Sequence, residues 1–279
     1  MLQDLTTFGK LTNLNKRKME NKKPLSIIKI GGNIIDNPAE LSQFLADFSK
    51  IEGNKILVHG GGKSATKMAQ SIGLTPHMID GRRITDQSML DVVVMIYAGE
   101  INKNIVAQLQ ANNTNAMGFS GADGNLIQST KRNHPTIDYG FVGDIQKVNT
   151  PLLETLINSG IIPVFCAITH DKKGQLLNTN ADTIASELAI AASEVFEVTL
   201  NYCFEKAGVL TDVDDENSVI EQINAARYGK LKEEGAIHSG MIPKLDNCFN
   251  SLSKGVKKIR IGHHSMLQNK ASLHTTITL

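Results

Sequence analysis

Cysteine is scarce in this chain: Cys166, Cys203 and Cys248 lie far apart and in no metal-ligand spacing. That excludes a disulfide-stapled scaffold and a zinc-finger type of site, and it suits structural thiols in a reducing cytoplasm. Excess charge is absent too. With 29 basic against 28 acidic side chains the net charge is +1, so no global field draws the chain to nucleic acid or a membrane surface. Any anion must be bound locally. No apolar run approaches the roughly 18–20 residues needed to cross a bilayer. Residues 1–23 carry Lys10, Lys16, Arg17, Lys18, Lys22 and Lys23 but no apolar stretch like that of a signal peptide. They read as a basic N-terminal tail, with Met19 as an alternative start. Internal repeats and low-complexity segments are missing. What is present is ordinary: 279 residues, 41% hydrophobic and 20% charged, enough to bury a large core in one two-lobed unit.

Order is expected after Pro24. Leu25 to Ile30 is a short apolar run ending in Gly31-Gly32, which reads as a buried strand. A helix follows from Pro38 to about Lys50, with proline in its first turn. Lys55 to Val58 reads as the next strand and runs into His59-Gly60-Gly61-Gly62; Lys63 to Ser71 then reads as helix, with Gly73 as its stop. Strand, glycine turn and helix, repeated, predict a parallel α/β sheet. Leu90, Val93, Val94, Tyr97, Ile101, Ile105 and Leu109 keep helical spacing, so Thr85 to about Ala111 reads as one long helix capped by Thr85. A hairpin is expected between Gly121 and Gly143. Further strands are expected at Ile161–Phe165, Val195–Leu200 and Lys257–Ile261, and helices at Thr150–Asn158, Ala181–Ala192 and Met241–Ser253. The lobe boundary falls near Asn178–Asn180, giving residues 24–178 and 179–279.

Three glycine-rich turns, Gly31-Gly32, Gly60–Gly62 and Gly118–Gly124, follow or flank strands. Glycine lets backbone N–H groups approach an oxyanion, although each turn taken singly is equally an ordinary tight turn. Neither standard nucleotide fingerprint is present. GGGKS lacks the P-loop's earlier glycine, because position 57 is Leu57, and no GxGxxG occurs. Lys29 stands inside an apolar strand, where a charge is costly unless it is used or snorkels to water. Arg82 and Arg83 face opposite ways if extended, so one of them can turn inward to grip a carboxylate. Asn180 is placed to cap the following helix, with Asp182 in its first turn. Lys244 alone reads as a solvated helix lysine, and His263-His264 as surface histidines.

Together, and in this order, these pieces resemble the amino-acid kinase family, and within it the acetylglutamate kinases. The resemblance rests on Lys29-Ile30-Gly31-Gly32, Val58-His59-Gly60-Gly61-Gly62, Gly81-Arg82-Arg83-Ile84-Thr85, Ala98-Gly99 with Asn102-Lys103, Asn178-Thr179-Asn180-Ala181-Asp182 and Gly240-Met241-Ile242-Pro243-Lys244. It implies a three-layer αβα sandwich with a mainly parallel central sheet. It also implies transfer of the terminal phosphate of ATP, with Mg²⁺, to the side-chain carboxylate of an N-acylated glutamate. Lys29 and Lys244 would stabilise charge on the phosphoryl group, and Asp182 would organise the lysines. Gly61 and Gly62 would bind the acylated amino acid, Arg83 its α-carboxylate and Asn178 its amide region. Gly31, Gly32, Asn180, Ala236, Ile237 and His238 would line the ATP side. The resemblance names no protein ligand for the metal, and it implies a homodimer through the helix near residues 86–110. The tail before Pro24 occupies the place of the family's hexamer-forming helix, but its Gly9 and scattered polarity fit that poorly.

One stretch departs from the pattern. Leu200–Leu210 is longer than the family's compact Asp-containing turn, which puts the nucleotide contacts there in doubt. Three alternatives stay open on the sequence: the same reaction on N-succinylglutamate, an inactive binding protein on this scaffold, and a P-loop or Rossmann module, which the motif spacing disfavours.

Overall fold

The computed structural model describes residues 22–279 apart from 80, 213, 238 and 270, and the backbone alone of residue 239. The tail expected at 1–23 therefore lies outside the described residues up to position 21, as does His238. The first strand, β1 (Pro24–Ile30), is followed by a short helix α1 (Gly32–Asp36) and by α2 (Pro38–Ser49). Asn37 caps α2 by accepting the N–H groups of Ala39 and Glu40, with Pro38 in the first turn. Strand β2 (Asn54–His59) leads into helix α3 (Gly62–Ser71), which ends at Gly73 in a left-handed conformation (φ 82°).

Two short strands, β3 (Met78–Ile79) and β4 (Arg82–Arg83), pair with each other and precede the long helix. That helix runs without a break but in three parts: α4 (Gln87–Val94), a π-helical segment (Met95–Ile101) and α5 (Asn102–Ala111). Its cap is Asp86, not Thr85. The Asp86 carboxylate accepts the Met89 N–H at 2.8 Å, while Thr85 is buried and bridges to Gly140. The Thr85 hydroxyl, donating to the Arg83 carbonyl and accepting from Asn178, is not free to cap.

Next come β5 (Ala116–Phe119), the hairpin of β6 (Ile127–Lys131) with β7 (Gly143–Val148), helix α6 (Thr150–Asn158) and strands β8 (Ile162–Phe165), β9 (Ile168–His170) and β10 (Leu176–Asn178). Helix α7 (Ala181–Ala192), β11 (Glu197–Cys203), β12 (Gln222–Ile223), α8 (Ala225–Glu233), α9 (Ile242–Ser253), β13 (Lys258–Gly262) and β14 (Thr275–Ile277) complete the chain.

One eight-stranded sheet dominates, in the order β12-β14-β13-β11-β1-β2-β8-β5. Every pair is parallel except β13 with β14. Helices cover both faces, which is why the central strands read as apolar runs rather than alternations: Leu25, Ile27, Ile28 and Ile30 are all buried. A smaller sheet, β10-β9-β6-β7, stands beside it. The register places Ile30 opposite His59 on one side and Cys203 on the other. The turns after β1, β2 and β11 therefore leave neighbouring strands at the same sheet edge. In an open parallel sheet, ligands bind at that carboxyl edge, where successive connections diverge.

The histidines after β13 depart from the surface placement expected of them. His264 is buried, with Phe44 set edge-on at 5.8 Å, because the chain turns back there over α2.

Candidate active site

A cleft of about 310 Å³ opens at this edge. The end of β1 contributes Lys29, and the start of α7 contributes Asp182. The Lys29 Nζ lies 2.7 Å from one oxygen of Asp182, and the Lys244 Nζ, from the first turn of α9, lies 3.6 Å from the other. Burial alone would raise the Asp182 pKa, but Lys29 and then Lys244 outweigh it, so the carboxyl titrates below its usual range. Lys244 also sits 4.9 Å over the ring of Phe204 and 5.7 Å over that of Tyr202, contacts that favour a cation. Tyr202 in turn is fixed by Ser186 at 2.7 Å from its hydroxyl. Two lysines remote in sequence thus converge on one carboxylate.

The turn after β2 forms the next wall. Gly61 has φ 148°, and a side chain there would meet Tyr97 at 2.9 Å and Ile101 closer still. Only glycine fits. His59 is fully buried; its Nδ1 contacts the Gly60 carbonyl at 2.9 Å and its Nε2 faces the Asn102 amide at 3.0 Å. Burial pushes its pKa down to about 4, so the ring is neutral at pH 7 and serves to hold the turn. Gly61 and Gly62 line the cleft, and no side chain caps α3, which leaves its first N–H groups without a side-chain acceptor at the cleft wall.

Arg83 is buried while Arg82 is exposed, as the extended pair predicts. The Arg83 Nη2 donates to the Gly62 carbonyl (2.9 Å) and to Thr66 (2.8 Å). Those bonds fix the guanidinium at the cleft wall without engaging a carboxylate. Asn178 lines the same cleft and donates to Thr85 at 3.0 Å. Asn180 caps α7 through the N–H groups of Asp182 and Thr183 and also lines the cleft.

The two glycines after β1 part ways. Gly32 lines the cleft, whereas the Gly31 N–H donates to the Cys203 carbonyl at 3.0 Å and ties β1 to β11. Next to the lysines lies a second hollow of about 210 Å³, walled by Phe204, Val209, Leu210, Ile237 and Met241. Ile237 lines this hollow, and Ala236 is half-buried beside it. The unusual stretch after Leu200 explains itself: Tyr202 and Cys203 are still strand, and Phe204 begins this apolar wall. Sequence reasoning missed Lys63 and Arg132, both of which line the main cleft. A lysine directly after a glycine turn was the available signal for the first; nothing marked the second.

Residues 24–263 match the Amino acid kinase family. The chain belongs to the amino acid kinase family. This amino acid kinase is 54% identical over 246 residues to an acetylglutamate kinase of Bacteroides fragilis, covering 88% of this chain and 94% of the relative. It is 55% identical over 238 residues to an acetylglutamate kinase of Cytophaga hutchinsonii, covering 85% and 90%. Among solved structures, the N-acetylglutamate synthase of Neisseria gonorrhoeae with coenzyme A and N-acetyl-glutamate superposes with TM-score 0.77 at 20% identity, over 95% of this chain and 62% of that one. Carbamate kinase of Giardia lamblia superposes with TM-score 0.63 at 15% identity, over 92% and 98%. Likenesses at that identity speak for the fold alone.

Proposed function

We propose that this kinase transfers the terminal phosphoryl group of ATP to the γ-carboxylate of N-acetyl-L-glutamate, the second step of arginine biosynthesis. The observation that carries the proposal is the convergence of Lys29 and Lys244 on Asp182 beside two glycine turns. The names of the relatives, acetylglutamate kinases at 54% and 55% identity, support it.

The chemistry asks for little else. A glutamate γ-carboxylate, with a pKa of about 4.3, is already ionised at pH 7 and needs no general base. The obstacle is the approach of one anion to another. Ammonium groups and backbone N–H groups placed in advance lower it by favouring the charge distribution of the transition state. In this reading Arg83 grips the α-carboxylate and Asn178 the amide region. Gly61 and Gly62 hold the acylated amino acid, and Gly32 with Asn180 faces the phosphates. The hollow at Phe204, Leu210 and Ile237 takes the adenine. Residues 24–178 would then serve the amino acid and 179–279 the nucleotide.

Asp182 is the one carboxylate among the described residues lining the cleft, and both its oxygens face lysines. Mg²⁺ therefore enters as part of the MgATP substrate, carried by phosphate oxygens and water rather than by this chain. We place the enzyme in the cytoplasm, where Cys166, Cys203 and Cys248, all unpaired and buried, stay reduced. It works as a homodimer through the long helix near residues 86–110.

A second reading keeps the reaction and changes the acyl group to succinyl. It is favoured by one observation, that Arg82 and Arg132 add cations to the amino-acid side of the cleft, although Arg132 is paired with Asp144. ADP release measured with acetyl-, succinyl- and unmodified glutamate tests both. Turnover with acetylglutamate and none with glutamate is expected; turnover with the succinyl compound alone favours the second reading, and no turnover with any acylglutamate defeats both.

A further inference from the structure

Lys29 and Lys244 are not the only cations facing the cleft. Lys63 lines it as well. It follows Gly62 in the first turn of α3, and its Nζ contacts the Oδ1 of Asn33, the residue after Gly32. The side chain therefore spans the two glycine turns, one on the amino-acid side and one on the phosphate side. We infer that Lys63 is a third cation of the reaction, contacting the terminal phosphate of ATP as it passes to the acceptor carboxylate. The inference rests on the kinase function proposed above.

Charge accounting supports it. Lys29 and Lys244 share Asp182, so two ammonium groups against one carboxylate leave a single net positive charge. That charge faces both the terminal phosphate and the acceptor's side-chain carboxylate, and positioned cations are the main means of stabilising such a transfer. Lys63 differs in its partner, which is a neutral amide and not a carboxylate. The acid at the end of α1, Asp36, accepts from the Ser64 hydroxyl at 2.8 Å and forms no ion pair with Lys63 among the described residues. The full charge of Lys63 therefore stays available at the cleft. Asn33 would hold the ammonium between the turns until the phosphate replaces that amide as its partner. The side chain is exposed, so its loss removes no core packing.

Calorimetric titration of the full-length chain with MgATP and with MgADP separates a terminal-phosphate contact from a general attraction of the cleft for anions. Lys63→Met is expected to weaken MgATP about tenfold and to leave MgADP within about twofold. Its kcat is expected to fall about thirtyfold, with Lys63→Arg retaining most of the wild-type rate. Equal loss for both nucleotides, no loss for either, or an unchanged kcat would overturn the role. A wild-type enzyme that releases no ADP with any acylglutamate removes the kinase reading and this inference with it. An active wild type beside an equally active Lys63→Met removes the role of Lys63 alone.

Discussion

Lys29 and Lys244 reach the same carboxylate from opposite ends of the chain, and their work is expected to be done in the transition state. Replacing either by Ala should lower kcat about a hundredfold or more while each KM changes less than about threefold. Steady-state kinetics over both substrates checks this, and unchanged turnover in either variant would refute the assignment. Arg83 should behave in the opposite way. Its guanidinium is already oriented by Gly62 and Thr66, so Arg83→Ala should raise the KM for the acylated amino acid about tenfold or more and leave that for ATP within about twofold. At this scale the sequence was unevenly legible. Lys29 stood out because a charge inside an apolar strand demands an explanation. Lys244 looked like any surface lysine on a helix and gained meaning only through the family resemblance. Lys63 was overlooked because GGGKS was weighed as a P-loop and set aside, although the lysine after the turn needed no P-loop to face the cleft. Gly31 shows the limit of a motif: adjacent glycines look equivalent in sequence, yet the N–H of one is spent on Cys203.

Among the elements, the long helix taught most. Its apolar spacing correctly indicated one continuous helix, but the pattern cannot distinguish a π-helical stretch, because a single wide turn shifts the register without interrupting the apolar face. That segment, Met95–Ile101, is what brings Tyr97 and Ile101 against Gly61 and sets Asn102 below His59. Helix α8 escaped detection because it buries only Tyr228 and Leu231. The late strand β14 escaped because it is three residues long and paired at the sheet's far side. His59 makes the helix-to-turn link testable by pH. Its folded pKa is about 4 against an ordinary 6.5. Between those values the unfolded chain holds a proton that the folded chain does not, so stability rises with pH there. The contribution is complete above about pH 6.5 and falls away toward pH 4, amounting to about 3 kcal/mol. Melting temperatures should drop over that window in the wild type and change less in His59→Gln. Parallel curves for the two proteins would remove His59 as the cause.

Taken whole, the molecule was the easiest level to anticipate: alternating strands and helices predict a parallel sheet, and an eight-stranded, mainly parallel sheet is what forms. Strand order was not readable, since apolar runs such as those of β1, β2 and β11 carry no label for their neighbours. Assembly belongs to this scale as well. Met95, on the long helix, is 55% exposed, and a homodimer through that helix would cover it. Sedimentation should show a dimer for the wild type and a shift toward monomer for Met95→Arg; a wild type that sediments as a monomer would dismiss the proposed contact. The sheet itself constrains how such an enzyme can move. Because β1 is hydrogen-bonded to β2 on one side and to β11 on the other, the strands whose ends flank the cleft belong to one continuous sheet. A narrowing of the cleft that bends this sheet would be an elastic twist distributed over many backbone bonds. Such a motion would spring back once the cleft empties.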